Sequence, residues 1–122
     1  MPKRILIIED DPDILELLNL ILNEEGYEVV LSENGEASYH LTEIMPDLVL
    51  LDINLKNSGQ NGDAICSRIK NHPKTKRLPV VILSAERDLA AISRSCGADG
   101  WISKPFDILK LIRRVKALLY PS

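Results

Sequence analysis

Residues 48–63 read LVLLDINLKNSGQNGD. Four consecutive apolar side chains run into one carboxylate, Asp52, and a polar loop containing two glycines follows. A segment that is apolar at every position, rather than at alternate ones, has to be covered on both faces, as strands inside a parallel sheet are. The charge at its end then needs a reason, because a buried carboxylate is costly unless something compensates it.

The same pattern recurs on either side. RILII (4–8), EVVL (28–31), DLVLL (47–51), PVVIL (79–83) and the weaker DGWIS (99–103) are the candidate strands, with helical periodicity between them. Asp11 and Pro12 read as a helix cap and first helical residue; Ile14, Leu17, Leu18, Ile21 and Leu22 share a face before Gly26 stops the helix. Further helices are expected over 35–44, 62–71, 86–96 and 106–119. Gly97 is a helix stop, and Ile108, Leu111, Ile112, Val115 and Leu118 form the inner stripe of the last helix. Five β-α units imply an α/β fold, a doubly wound five-stranded parallel sheet of flavodoxin-like type with helices on both faces.

At 122 residues the chain has the size of one domain, taken as 1–122. It contains no apolar run long enough to span a bilayer and no basic-then-apolar leader, so a soluble, cytoplasmic protein is expected, without membrane contact. Cys66 and Cys96 lack CxxC spacing and read as packing residues, not as a disulfide or zinc site. A net charge of −3 argues against nucleic acid as a direct partner. The basic cluster Lys110, Arg113, Arg114 and Lys116 reads as a solvated face favoured by the helix dipole.

In an open parallel sheet, function gathers at the carboxyl ends of the strands, beside the point where strand order reverses. Strand one ends in Glu9-Asp10-Asp11, strand three in Asp52 and strand four in Ser84, while strand five leads to Ser103-Lys104-Pro105. In the order 2-1-3-4-5 strands one and three are neighbours, and Glu9, Asp10 and Asp52 converge. Three carboxylates so close repel one another unless a cation neutralises them. An all-oxygen donor set suits a hard divalent ion, and few protein ligands leave room for the waters that Mg²⁺ keeps. His40, in an expected helix, and His72, in a loop, read as surface residues outside this group. Taken singly, Asp11 is a helix cap, and Ser84 could cap the helix expected to begin near Glu86.

This ordered set closely resembles the receiver domain of bacterial two-component response regulators, over essentially the whole chain. The resemblance implies that Glu9 and Asp10 are the acidic pair binding Mg²⁺, with Mn²⁺ as a substitute, and that Asp52 is both metal ligand and phosphoacceptor. It implies that the backbone carbonyl of Asn54 completes the protein ligands, that Ser84 contacts the phosphoryl group, and that small Ala85 leaves access. Lys104 would hold a phosphoryl oxygen, the Lys104-Pro105 bond would be cis, and Trp101 would take the switch position usually held by Tyr or Phe. The implied donor is a histidine kinase or histidine phosphotransfer protein. The implied output is a change in the face made by helix four, strand five and helix five, acting on a downstream effector domain or protein, as a monomer or a phosphorylation-dependent dimer.

The loop departs from the family. Position 56 is Lys where a proline is common, and Gly62 lies ten residues after Asp52 where eight is usual, which places a two-residue insertion around Asn57-Ser58-Gly59-Gln60. A haloacid-dehalogenase-like phosphohydrolase would need an aspartate where Asn54 stands. A flavodoxin-like FMN carrier would need hydroxyls and glycine, not three acids, after strand one. A receiver that signals by binding alone would have no use for the full set of Ser84, Lys104 and three acids.

Overall fold

The computed structural model describes residues 2–55, 61–86 and 88–121; Lys56 and the insertion Asn57-Ser58-Gly59-Gln60 therefore lie outside the described residues. Five parallel strands, β1 (Arg4–Ile8), β2 (Glu28–Ser32), β3 (Leu48–Asp52), β4 (Val80–Ser84) and β5 (Gly100–Ser103), form one sheet in the order 2-1-3-4-5. The helices are α1 (Pro12–Glu24), α2 (Leu41–Ile44), α3 (Gly62–Asn71), α4 (Leu89–Cys96) and α5 (Ile108–Leu119). Among the described residues no helix is long and apolar enough to cross a membrane.

Alternate side chains of the central strands feed two separate cores. Ile5, Ile7, Leu48, Leu50, Val81 and Leu83 pack with Leu15, Leu18 and Leu22 of α1 and Leu111, Val115 and Leu119 of α5. Leu6, Ile8, Val49, Leu51, Val80 and Ile82 pack with Leu41 of α2, Ile65 and Ile69 of α3, and Leu89 of α4. Every residue of β3 and β4 is buried, which is why those segments carry no polar alternation until their last position. Cys66 and Cys96 are free and buried in the second core, the Cys66 Sγ lying 3.5 Å from the Cys96 carbonyl, and burial pushes the Cys66 thiol up.

Capping follows local chemistry. Asp11 accepts from the Asp13 and Ile14 amides at 2.9 and 3.4 Å, with Pro12 in the first turn. Gly26, at φ +88°, ends α1 in a Schellman motif: its amide donates to Asn23 O and the Tyr27 amide to Leu22 O. Gly97 stops α4 at φ +80°.

Several expected details are corrected. The helix expected over 35–44 is a 3₁₀ turn, Gly35–Tyr39, followed by the short α2; the break falls at His40, whose φ and ψ of −123° and 26° are not helical. His40 and His72 are both exposed. On α1, Leu15 replaces Leu17 in the inner stripe, since at 100° per residue Leu17 points well away from the mean direction of Leu15, Leu18 and Leu22. On α5, Ile108 stands exposed in the first turn ahead of the packed stripe, and Leu119 is buried instead.

Candidate functional site

The sheet delivers its polar residues to one end. β1 finishes at Ile8, and the Glu9 amide still bonds to Ser32 O at 3.0 Å, so Glu9 turns in fully buried while Asp10 is half-buried. Asp52 is the last residue of β3, one position deeper in the ladder than the sequence reading, in register with Leu83 and only 3% exposed. Ser84 closes β4, fully buried, in register with Ser103 of β5. Its hydroxyl oxygen accepts from the Glu86 amide at 3.0 Å, but α4 begins only at Leu89, so Ser84 caps a turn and not that helix. The Lys104 amide, just past β5, bonds to Ser84 O at 2.9 Å.

These ends bring Glu9, Asp10, Asp52 and Lys104 together. The Lys104 Nζ lies 2.6 Å from Glu9 Oε1 and 3.3 Å from Asp52 Oδ1. One oxygen each of Glu9, Asp10 and Asp52 lies within 4.8 Å of the others. One ammonium thus faces a group of acids in a partly dry setting, a balance that leaves negative charge over. Burial pushes the Glu9 carboxyl up to about 7, helped by its hydrogen bond to Asp52 and opposed by Lys104. Burial pulls the Lys104 ammonium down, yet Glu9 and Asp52 outweigh it and hold Lys104 above the ordinary lysine value. Three oxygen donors within one ion's reach, with surplus negative charge and neither histidine nor thiolate among them, fit a hard divalent cation. The site opens into a cavity of about 510 Å³ whose wall includes Asn54 and Ala85.

The remaining expected residues fall around this centre. The Asn54 amide donates to Asp52 Oδ1 at 3.3 Å and its side-chain amide to Ser84 Oγ at 3.5 Å, so Asn54 bridges the ends of β3 and β4. The Lys104-Pro105 peptide is cis. Trp101 is 39% exposed, on the outward-facing side of β5 with Ser103 and three residues before Lys104. Gly62 is the residue whose role the sequence reading missed. Its amide bonds to Ile53 O at 2.7 Å, and a Cβ there would sit 2.1 Å from the Asp52 carbonyl oxygen. The signal was the glycine itself, at the first position of a helix where no turn requires one.

The response regulator receiver domain family matches residues 5–116. The chain is 37% identical over 122 residues to the phosphate regulon transcriptional regulatory protein PhoB of Rhizobium meliloti, covering 98% of this chain and 53% of that protein. It is 35% identical to the DNA-binding response regulator MtrA of Mycolicibacterium smegmatis, over 98% of this chain and 51% of the relative. The chain thus spans about half the length of these relatives. Among solved structures, a putative response regulator from Chloroflexus aurantiacus superposes with a TM-score of 0.89 at 36% identity, covering 98% of both chains. The chemotaxis protein CheY4 of Vibrio cholerae, at 23% identity and a TM-score of 0.86 over 98% of this chain and all of that one, shares the fold. The chain belongs to the response regulator receiver domain family, a class of two-component signalling domains.

Proposed function

We propose that this chain is a phosphoacceptor switch: Asp52 takes a phosphoryl group from the phosphohistidine of a histidine kinase or phosphotransfer protein and passes the change to an effector. The observation that carries the reading is the meeting of Asp52 with Glu9, Asp10 and Lys104 at the carboxyl end of the sheet. In the reaction a carboxylate oxygen of Asp52 forms a new bond to phosphorus while the bond from phosphorus to the donor nitrogen, or to the oxygen of an acyl phosphate, breaks. Such transfers need positioning and charge neutralisation far more than proton transfer.

Glu9, Asp10, Asp52 and the Asn54 carbonyl would hold Mg²⁺, with Mn²⁺ as a substitute, and the bound ion would neutralise charge on the transferred oxygens. Lys104 already sits at hydrogen-bonding distance from Glu9 and needs only a small swing to follow a phosphoryl oxygen. The Ser84 hydroxyl oxygen accepts from the Glu86 amide, which leaves its proton to donate to another. Ala85 leaves the approach to Asp52 open. These roles make the domain a signalling switch, catalysing only its own phosphorylation and dephosphorylation, in the cytoplasm.

The test is incubation with acetyl phosphate and Mg²⁺, followed by intact mass. One added phosphoryl group is expected on the wild type and none on Asp52→Ala; an unmodified wild type, or equal labelling of the variant, would refute the reading. A second expectation concerns pH. Glu9 holds its proton up to about 7 in the metal-free fold, so a cation must displace that proton at lower pH. Apparent Mg²⁺ affinity is expected to be flat above pH 7 and to weaken by about tenfold per pH unit below it, the slope of one linked proton. Calorimetric titration in buffers of different ionisation enthalpy would show proton uptake by the buffer at pH 6 and little at pH 8. An affinity independent of pH between 6 and 8 would count against Glu9 as a ligand.

A further inference from the structure

A second cavity, of about 410 Å³, lies between the 3₁₀ turn and α2 on one side and α3 with the loop after it on the other. Its wall includes Ser38, Thr42, Arg68, His72, Lys74 and Thr75. None of its lining residues is an acid, and none belongs to the acidic site. On a chain of net charge −3, an arginine and a lysine thus face one cavity with no carboxylate in its wall.

Arg68 is the anomaly here. Its Nη2 donates to Ser38 Oγ at 2.6 Å and its Nη1 to Ser38 O at 3.4 Å, while the guanidinium carbon lies 4.1 Å from the centre of the Tyr39 ring. Both acceptors are neutral. The Arg68 Nε is buried and has no partner among the described residues, which leaves a cationic donor unanswered in a partly dry setting. Half-buried cations elsewhere in the fold are compensated: Arg4 meets Glu28, Lys70 meets Asp99 and Lys104 meets Glu9. Among the described residues no carboxylate lies within ion-pair distance of Arg68 or Lys74.

The end of α3 does not supply the missing charge. Arg68 and Lys70 lie in its last turn, where the helix dipole favours cations. Side chains on a helix lean back toward its N-terminus, however, and Arg68 bonds across to Ser38 instead of to the α3 carbonyls. Those carbonyls are already served: Ser67 O accepts from the Asn71 side chain and Ile69 O from the Thr75 hydroxyl, each at 2.7 Å. Tying the 3₁₀ turn to α3 accounts for the bonds to Ser38. It accounts neither for Lys74 nor for the missing acid.

We propose that this cavity binds a small phosphate monoester with a hydroxylated body, such as a sugar phosphate. Two cations without an acid call for a dianion, which a phosphate monoester is above its second ionisation and a single carboxylate is not. The guanidinium fork matches phosphate oxygens, and its stacking on Tyr39 fixes its plane, so little freedom is lost when the anion arrives. Lys74, exposed at the rim, adds the second charge. With its proton given to Ile69 O, the Thr75 hydroxyl offers an acceptor oxygen; with Nδ1 accepting from the Lys74 amide at 3.1 Å, His72 keeps Nε2 for a ligand. These groups suit the hydroxyls of a body attached to the phosphate, and the volume exceeds what one phosphate ion fills and lies among those of small-molecule sites. The cavity shares no residue with the acidic site, so the inference stands apart from the phosphoacceptor reading.

The test is calorimetric titration of the 122-residue chain at pH 7.5 with ribose 5-phosphate, inorganic phosphate and ribose, with a chelator present so that no metal draws phosphate to the acids. Backbone amide resonances of an isotope-labelled sample would be followed in the same titrations. Ribose 5-phosphate is expected to bind about tenfold more tightly than either ribose or phosphate, with shifts at Tyr39, Arg68, Lys74 and Thr75. Arg68→Gln should weaken it by about tenfold, and Arg68→Lys, which keeps the charge but not the fork, should recover only part of that loss. Lys74→Gln changes an exposed residue outside every helix and strand and should weaken binding about threefold. Asp52→Ala should bind as the wild type does. Equal affinity for ribose and its phosphate, phosphate binding as tightly as its ester, shifts gathered at Glu9 and Asp10, affinity untouched by both Arg68→Gln and Lys74→Gln, or tighter binding of a phosphoserine peptide than of the sugar phosphate would each overturn the proposal. Sugar phosphate binding in a chain that acetyl phosphate leaves unmodified would refute the phosphoacceptor reading and support this one.

Discussion

Asp52→Asn is expected to raise the melting temperature of the metal-free protein while abolishing phosphoryl uptake. Asp52 is 3% exposed and its carboxylate shares one ammonium with Glu9, with Asp10 close by. Above pH 7, where Glu9 is ionised, that arrangement carries surplus buried charge, and removing one carboxylate leaves Lys104 paired with Glu9 at 2.6 Å. The loss of the longer Asp52 contact is the smaller effect, because the neutral amide no longer repels Glu9 and needs less water. The net gain should be about 1–2 kcal/mol, or roughly 4–8 °C for a chain of this length. Scanning calorimetry at pH 8 in the presence of a chelator measures it. In saturating Mg²⁺ the difference should shrink or reverse, since the ion relieves the same repulsion in the wild type. A variant that melts below the wild type in chelator would show that Asp52 is held there for stability and not against it. A functional site that costs stability is the expected pattern where charges are gathered for chemistry.

How much of this was legible beforehand depended on which physics spoke locally. β1, β3 and β4 could be read because a strand covered on both faces must be apolar at each position, and nothing else in a short run imitates that. The strand order then fixed which ends are neighbours, so the convergence of Glu9, Asp10 and Asp52 followed from topology without any side-chain coordinates. What failed was local and marginal. The segment 35–44 has too few buried side chains to hold a continuous helix, and it divides into a 3₁₀ turn and a four-residue helix. The Glu86 amide is taken up by the Ser84 hydroxyl oxygen, and α4 starts at Leu89, three residues later than its capping pattern suggested. Pairings across the molecule were out of reach for a different reason. Lys104 and Glu9 are 95 residues apart, and no local pattern shows that the ammonium rests on Glu9 more closely than on Asp52. The cations of α5 were visible as a cluster, but which of them has a carboxylate to meet is decided by neighbouring elements: Glu25 at the end of α1 reaches Lys116, and among the described residues no acid comes within ion-pair distance of Arg113 or Arg114.

The largest loss of stability is expected at a residue that carries no side chain. In Gly62→Ala the new Cβ would lie 2.1 Å from the Asp52 carbonyl oxygen, 2.7 Å from the Ile53 Cα and 2.8 Å from the Asp52 carbonyl carbon. All three are backbone atoms of the segment that presents Asp52, so no rotamer change relieves the contact. Alanine is the better helix former by up to about 1 kcal/mol, which is too little to offset an overlap that forces the start of α3 away from the end of β3. That movement also breaks the 2.7 Å bond from the Gly62 amide to Ile53 O. A loss of about 3 kcal/mol or more is expected, roughly 12 °C in melting temperature. Because the displaced backbone carries Asp52, phosphorylation by acetyl phosphate should slow by about tenfold or more in whatever fraction remains folded. Gly26→Ala is the matched control: it sits at φ +88° with nothing within 4 Å of its Cβ, so it should cost only the left-handed backbone strain, about 1 kcal/mol, and leave the phosphorylation rate unchanged. If the two variants melted together, the close approach of α3 to Asp52 would not be what fixes glycine at position 62; a wide separation, with only Gly62→Ala slowed, ties that close approach to the placement of Asp52.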